Sequence, residues 1–188
     1  MTCIAALVEE GTITMGGDSA GVSGYRLSVR ADPKVFVSGN FLIGYTSSFR
    51  MGQVLRFHVK PPEHPRKQDG EWLDTYEYMV RYFVEECRKQ FKDHGYLATV
   101  NGQDEGGCFL VGYRGKLFII DTDFQVGEVR DTFAAVGCGM DIAQGVLYGL
   151  QSIPESPRTK VLVALEGAER FSAGVRGPFT ILELKWEG

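Results

Sequence analysis

Thr2 carries a hydroxyl nucleophile, and it gains a free α-amine once Met1 is removed. An unperturbed α-amine titrates near about 7.7–8.0, so it can serve as a base at neutral pH. Asp18 follows in Gly16-Gly17-Asp18-Ser19, and Lys34 in Asp32-Pro33-Lys34-Val35. A terminal threonine, an aspartate and a lysine in this order are the parts of one layout for acyl transfer through a threonine hydroxyl. Taken singly, each is ordinary: a small second residue, a turn aspartate and a surface lysine. Their joint spacing at the head of a strand-like run makes them a candidate trio. While Met1 is attached, the nitrogen of Thr2 is a peptide amide and no base. The small side chain of Thr2 leads us to expect that Met1 is removed.

The positions between and after these residues read as strands and helices that could bring them together. Thr2–Val8 and Thr12–Gly16 flank Glu9-Glu10-Gly11 as a hairpin, and Val35–Val37 and Phe41–Tyr45 flank Ser38-Gly39-Asn40 as a second. A short strand is expected within Gly21–Arg30, broken at Gly24. Apolar residues at helical spacing predict a helix over Phe49–Val59, stopped by Pro61 and Pro62, and a longer one over Trp72–His94, ended by Gly95. Strands are expected to return after residue 105, at Gly107–Tyr113, Lys116–Asp121, Val126–Arg130 and Thr132–Val136, the last two as a pair. Helices over Asp141–Leu150 and Arg158–Val175 and a strand over Phe179–Trp186 complete the order. Without strict βαβ alternation, a doubly wound parallel sheet is disfavoured; hairpin-built sheets covered by paired helices fit better.

Length and composition agree with one domain over residues 1–188. The chain is 44% hydrophobic, enough for a substantial core. Its net charge of −4 and lack of basic runs disfavour a nucleic-acid partner. No apolar stretch is long enough to span a bilayer and no cationic leader precedes the first apolar run, so a soluble cytoplasmic protein without a membrane partner is expected. Cys3, Cys87, Cys108 and Cys138 are widely spaced and read as reduced thiols. His58, His64 and His94 show no metal-ligand spacing and read as structural or exposed. Gly137-Cys138-Gly139 before a helix is no dinucleotide loop, because Ile142 stands where a third glycine would.

Thr2, Gly17-Asp18-Ser19, Lys34-Val35 and Gly137-Cys138-Gly139 together resemble proteasome β-type subunits and the bacterial proteasome-like protease that works with an ATP-driven unfoldase, both N-terminal nucleophile hydrolases. The resemblance covers essentially the whole chain and implies a four-layer α/β/β/α sandwich of the α+β class. It implies a threonine peptidase acting on peptide or unfolded protein, assembled as a homo-oligomeric ring, with a separate ATP-driven unfoldase as partner and no metal or organic cofactor. The helices at Asp141–Leu150 and Arg158–Val175 are the expected ring contacts.

In that scheme the amine of Thr2 is the base, Lys34 the cation that keeps it neutral, and Asp18 the partner that orients Lys34. The resemblance places the oxyanion donor at the backbone amide of Ser48, where the family commonly has glycine. Cys138 stands where the family has serine, and Glu169 with Ser172 where it has aspartate and serine. By the same analogy Gly21, Asp32, Phe36, Thr46 and Arg50 line the pocket for the side chain preceding the cleaved bond; Asp32 and Arg50 either make it polar or pair with each other. Three rivals stay open: a small-molecule amidase of the same superfamily, a catalytically silent ring or scaffold subunit, and a non-enzymatic binding module.

Overall fold

A computed structural model describes residues 1–187. The chain begins with three hairpins: β1 (Cys3–Glu9) with β2 (Thr12–Gly17), β3 (Ala20–Ser23) with β4 (Arg26–Val29), and β5 (Val35–Ser38) with β6 (Phe41–Tyr45). At the first turn Glu10 and Gly11 both take positive φ, +48° and +73°, the primed geometry that matches strand twist.

Helix α1 (Phe49–Phe57) follows, capped by the Ser48 hydroxyl, which accepts from the Arg50 amide. The next helix starts at Asp74, whose carboxylate accepts from Glu77, and runs as α2 (Thr75–Tyr78), a π-turn (Met79–Phe83) and α3 (Val84–Asp93). The π-turn keeps Tyr78 and Phe83, and Met79 and Val84, five apart and all buried. Then come β7 (Ala98–Val100), β8 (Gln103–Glu105), β9 (Phe109–Tyr113), β10 (Lys116–Ile120), β11 (Val126–Glu128) and β12 (Phe133–Gly137). Helices α4 (Met140–Gly149) and α5 (Pro157–Phe171) precede the last strand, β13 (Thr180–Lys185).

The strands pair antiparallel into a four-stranded sheet, β12-β1-β2-β13, and a five-stranded one, β11-β10-β9-β6-β5, with two small hairpins beside them. An aromatic cluster, including Phe41, Tyr78, Phe83, Phe91, Phe109 and Tyr113, joins α1–α3 to the five-stranded sheet. Ile4, Ile13, Met15, Val35, Leu42 and Leu110 pack the two sheets together. On the other side α4 and α5 meet the four-stranded sheet through small residues such as Ala5, Ala135, Ala143, Ala164 and Ala168. The approach is close: a Cβ on Gly16 would lie 2.7 Å from Leu165 and 2.8 Å from Val161. Among the described residues no helix is long and apolar enough to cross a membrane.

Four expectations need correction. β11 and β12 do not pair with each other; β11 pairs with β10 and β12 with β1, in different sheets. The Gly21–Arg30 segment is a complete hairpin rather than one short strand. An extra hairpin, β7–β8, turns at Asn101-Gly102 with φ of +52° and +82°, before residue 105. The helix expected over Arg158–Val175 stops at Phe171, because Ser172 turns to extended backbone.

Candidate active site

The β1–β2 register sets Ile4 opposite Gly17, so Thr2 and Asp18 emerge side by side at one end of the four-stranded sheet. Lys34 stands just before β5, at the same end of the other sheet, with Tyr45 donating its amide to the Lys34 carbonyl at 3.0 Å. Stacking of the two sheets therefore brings Lys34 to Thr2. Its Nζ donates to Thr2 Oγ1 at 2.9 Å, Asp18 Oδ1 at 2.9 Å and the Ala20 carbonyl at 2.7 Å. An ammonium has three N–H groups, and each has an acceptor here. Asp18 in turn accepts from the amides of Cys3, Ala20 and Arg176 at 3.0, 2.9 and 3.3 Å. Both side chains of this ion pair are almost fully buried. Burial pushes the Lys34 pKa below the usual 10.5, with the Asp18 charge opposing that shift.

The other face of Thr2 is held by the Gly137-Cys138-Gly139 turn. Gly137 has φ +97°, and a Cβ there would lie 2.3 Å from the Thr2 carbonyl oxygen, so only glycine fits. The Thr2 amide donates to Cys138 Sγ at 3.2 Å, and the Cys138 thiol faces the Thr2 carbonyl at 3.4 Å. Ser172 Oγ reaches Cys138 Sγ at 3.5 Å. Met1 is attached and lies over this turn: a Cβ on Gly174 would sit 2.5 Å from Met1 Cβ and 2.6 Å from Cys138 Sγ. Thr2 Oγ1 donates to the Met1 carbonyl. Burial pushes the neighbouring Cys3 thiol up to about 12, which leaves it a packing residue rather than a nucleophile.

Thr2, Asp18, Lys34, Cys138 and Ser172 are thus brought together. Glu169 stands one step away. Its carboxylate accepts from the Gly177 amide at 3.1 Å and pairs with Arg176 at 3.5 Å, holding the loop whose Arg176 amide reaches Asp18. Ser48 lies beside Thr2, but its amide donates to the Thr46 carbonyl at 2.6 Å, in a tight turn where Ser47 has φ +51°. The oxyanion donor expected at Ser48 is therefore engaged in this arrangement.

A pocket of about 70 Å³ opens beside Thr2 and Lys34, walled by Val22, Tyr45, Thr46 and Phe49. Of the five residues expected around a substrate pocket, only Thr46 lines this hollow. Asp32 pairs with Arg30 through two 2.8 Å bonds, which lowers its pKa, and not with Arg50. Arg50 points instead to the His94 carbonyl at 3.1 Å. Phe36 is buried in the aromatic cluster, and Gly21 packs against Ser28, Arg30 and the Phe49 ring. Val22, Tyr45 and Phe49 were missed; Phe49 adjoins the predicted Ser48, but which of residues 49 and 50 faces the pocket depends on helix phase. Larger hollows of about 330 and 680 Å³ open at the opposite end of the strands, beside Trp72 and Arg114 and beside Glu9 and Lys160.

No protein-family model matches the chain, and no curated protein sequence does either. The fold does have solved counterparts. BPH of Thiobacillus denitrificans in complex with epoxomicin superposes with a TM-score of 0.80 at 17% identity, over 100% of both chains. A second structure of that protein gives 0.80 and 17% over 99% of each chain. Eukaryotic HslV from Trypanosoma brucei gives 0.69 at 14% identity, over 98% of this chain and 99% of that one. At such identities the likeness shows the fold alone, which this chain shares with BPH and HslV.

Proposed function

We propose that the protein is a threonine endopeptidase that acts through Thr2 after Met1 is removed. One observation carries this reading: a buried Lys34 Nζ lies 2.9 Å from both Thr2 Oγ1 and Asp18 Oδ1. Loss of Met1 turns the Thr2 nitrogen into an amine next to its own hydroxyl. The adjacent ammonium favours the neutral amine, which takes the hydroxyl proton as Oγ1 bonds to the peptide carbonyl carbon. That proton passes to the departing nitrogen as the C–N bond breaks, leaving an ester on Thr2. Water, activated by the same amine, cleaves the ester and restores the hydroxyl. The start of α1 supplies the positive end of a helix to the oxyanion, with the Ser48 amide as its donor once it is freed from Thr46. Cys138 and Ser172 hold the amine, and Glu169 holds the loop that supports Asp18.

In this reading the packed sheets and helices form a four-layer α/β/β/α sandwich, one domain over residues 1–188. The domains associate as a homo-oligomeric ring fed with unfolded protein by a separate ATP-driven unfoldase. Exposed Tyr148 on α4 and Phe171 on α5 support a ring contact on that face. Four free cysteines support a reducing, cytoplasmic setting.

The test is intact mass before and after epoxomicin, the compound bound to the neighbouring BPH. Active protein should lack Met1 and gain the inhibitor's mass, and Thr2→Ala should gain nothing. An active form that retains Met1 would overturn the reading. A silent ring subunit is the second reading, favoured by the engaged Ser48 amide; it predicts no adduct and no peptide cleavage even with Met1 gone.

A further inference from the structure

The pocket beside Thr2 is small, about 70 Å³ against about 330 and 680 Å³ for the hollows at the other end of the strands. Phe49 forms one wall of it. It is the first residue of α1, and it lines the pocket together with the nucleophile. The Arg30 guanidinium lies 3.9 Å above the ring, and both oxygens of Asp32 fix that guanidinium at 2.8 Å. Lys34 Nζ stands 5.5 Å from the ring centre, and Tyr45 meets it edge-on at 6.2 Å. Tyr45 has nowhere to withdraw, since its ring fills the space a Cβ on Gly52 would take, 2.1 Å away. Met1 forms another part of the lining, so its removal opens the side next to Thr2 and leaves the Tyr45–Phe49 wall standing.

A peptide whose carbonyl carbon meets Thr2 Oγ1 must place the side chain of that residue in the nearest hollow, which is this one. We infer that Phe49, clamped by the Arg30–Asp32 pair, is the specificity-determining residue, and that it restricts the site to peptides with glycine, alanine or serine before the cleaved bond. The inference rests on the threonine-peptidase reading above. The Arg30–Asp32 pair is already neutralised, so no uncompensated charge in this wall recruits a long acidic or basic side chain.

The experiment uses protein shown by mass to lack Met1, and peptides differing only in the residue before a reporter amide: alanine, serine, leucine, phenylalanine or arginine. Alanine should exceed leucine in kcat/KM by at least about tenfold, since one methylene in a fitted pocket is worth roughly 10- to 200-fold. Phe49→Ala should reverse that order, with Phe49→Leu and Arg30→Ala intermediate; urea unfolding of each variant guards against loss of fold. A wild-type preference for leucine or phenylalanine, or an unchanged order in both Phe49 variants, overturns the inference. Binding of the acetylated, reporter-free peptides to Thr2→Ala, by calorimetry, separates the two claims. Selective binding with no cleavage by the wild type keeps the pocket assignment and removes the peptidase reading. Unselective cleavage does the reverse, and neither binding nor cleavage overturns both.

Discussion

Two buried polar clusters lie at opposite ends of the strands, and they are built differently. At the Thr2 end the groups are charged: Lys34 and Asp18, sealed from solvent, with the lysine also touching a hydroxyl. In the far-end cluster around His64 they are neutral, while Lys160 there pairs with the part-exposed Glu9 at 2.8 Å and touches no nucleophile. His64 bridges the Tyr113 hydroxyl at 2.9 Å and the Leu73 carbonyl at 2.8 Å, and its ring stacks on Tyr78 at 4.4 Å. Because Leu73 offers only an acceptor, Nε2 donates there and Nδ1 accepts from Tyr113. Satisfied neutral groups of this kind are fully explained by packing and hydrogen bonding. A buried ion pair is not, since apolar residues of similar volume are often as stabilising or more so. Burial of polar groups alone therefore does not mark a site, whereas a buried cation held against a nucleophile does.

The largest effect should come from breaking the charged cluster. Lys34→Met leaves the Asp18 carboxylate buried without its counter-ion and should cost about 3–5 kcal/mol in urea unfolding. It should also lower peptidase activity by roughly 10²–10⁴-fold, by removing the group that keeps the amine neutral. Adding Asp18→Asn to this variant removes the stranded charge while keeping an acceptor for the surrounding amides. Asp18→Asn should therefore be destabilising in the wild type and stabilising in Lys34→Met, with no activity returning in the double variant. The same sign in both backgrounds would show that the pair acts as scaffolding.

The neutral cluster should break at lower cost and with no loss of chemistry. His64→Phe strands the Tyr113 hydroxyl and the Leu73 carbonyl, which should cost about 1–3 kcal/mol in the same unfolding experiment. Hydrolysis of an alanine reporter peptide at 25 °C should stay within about twofold of wild type. A loss beyond tenfold, with the fold intact, would mean that the two ends are coupled and that the comparison drawn above is false.

Much of the charged cluster was legible because it is nearly local. A hairpin closing at Glu10-Gly11 must return residue 17 beside residue 4, so the proximity of Asp18 to Thr2 follows from turn chemistry alone. Lys34 reaches them across the gap between two sheets, which no local pattern encodes; only its spacing, read through a family resemblance, pointed there. Non-local choices account for the errors as well. β11 and β12 are neighbours in sequence, yet they serve different sheets because pairing follows sheet membership. Phe49 and Arg50 differ by one helical step of 100°, and the Ser48 cap that sets this phase shows its effect only in three dimensions. The Asn101-Gly102 turn was a readable hairpin signal, obscured by the short polar strands on either side of it.

The smallest effects are those of pH, and they separate the two ends most finely. Burial lowers the His64 pKa below 6.5 in the folded protein, so between that lowered value and 6.5 the unfolded chain binds the extra proton. Stability then rises with pH across this window and is lost as pH falls through it. An acid limb beginning near pH 6.5 should appear in urea unfolding and shrink in His64→Phe. Lys34 obeys the same sign, since its pKa is also lowered, so its window lies between that value and 10.5 and its contribution to stability again rises with pH. Activity must run the other way there, because the ammonium beside the Thr2 amine disappears. Raising pH should thus reduce kcat/KM while the unfolding midpoint holds or climbs, a divergence that no general alkaline denaturation produces. If rate and midpoint fell together, unfolding would be the cause, and the catalytic role given to Lys34 would lose its support.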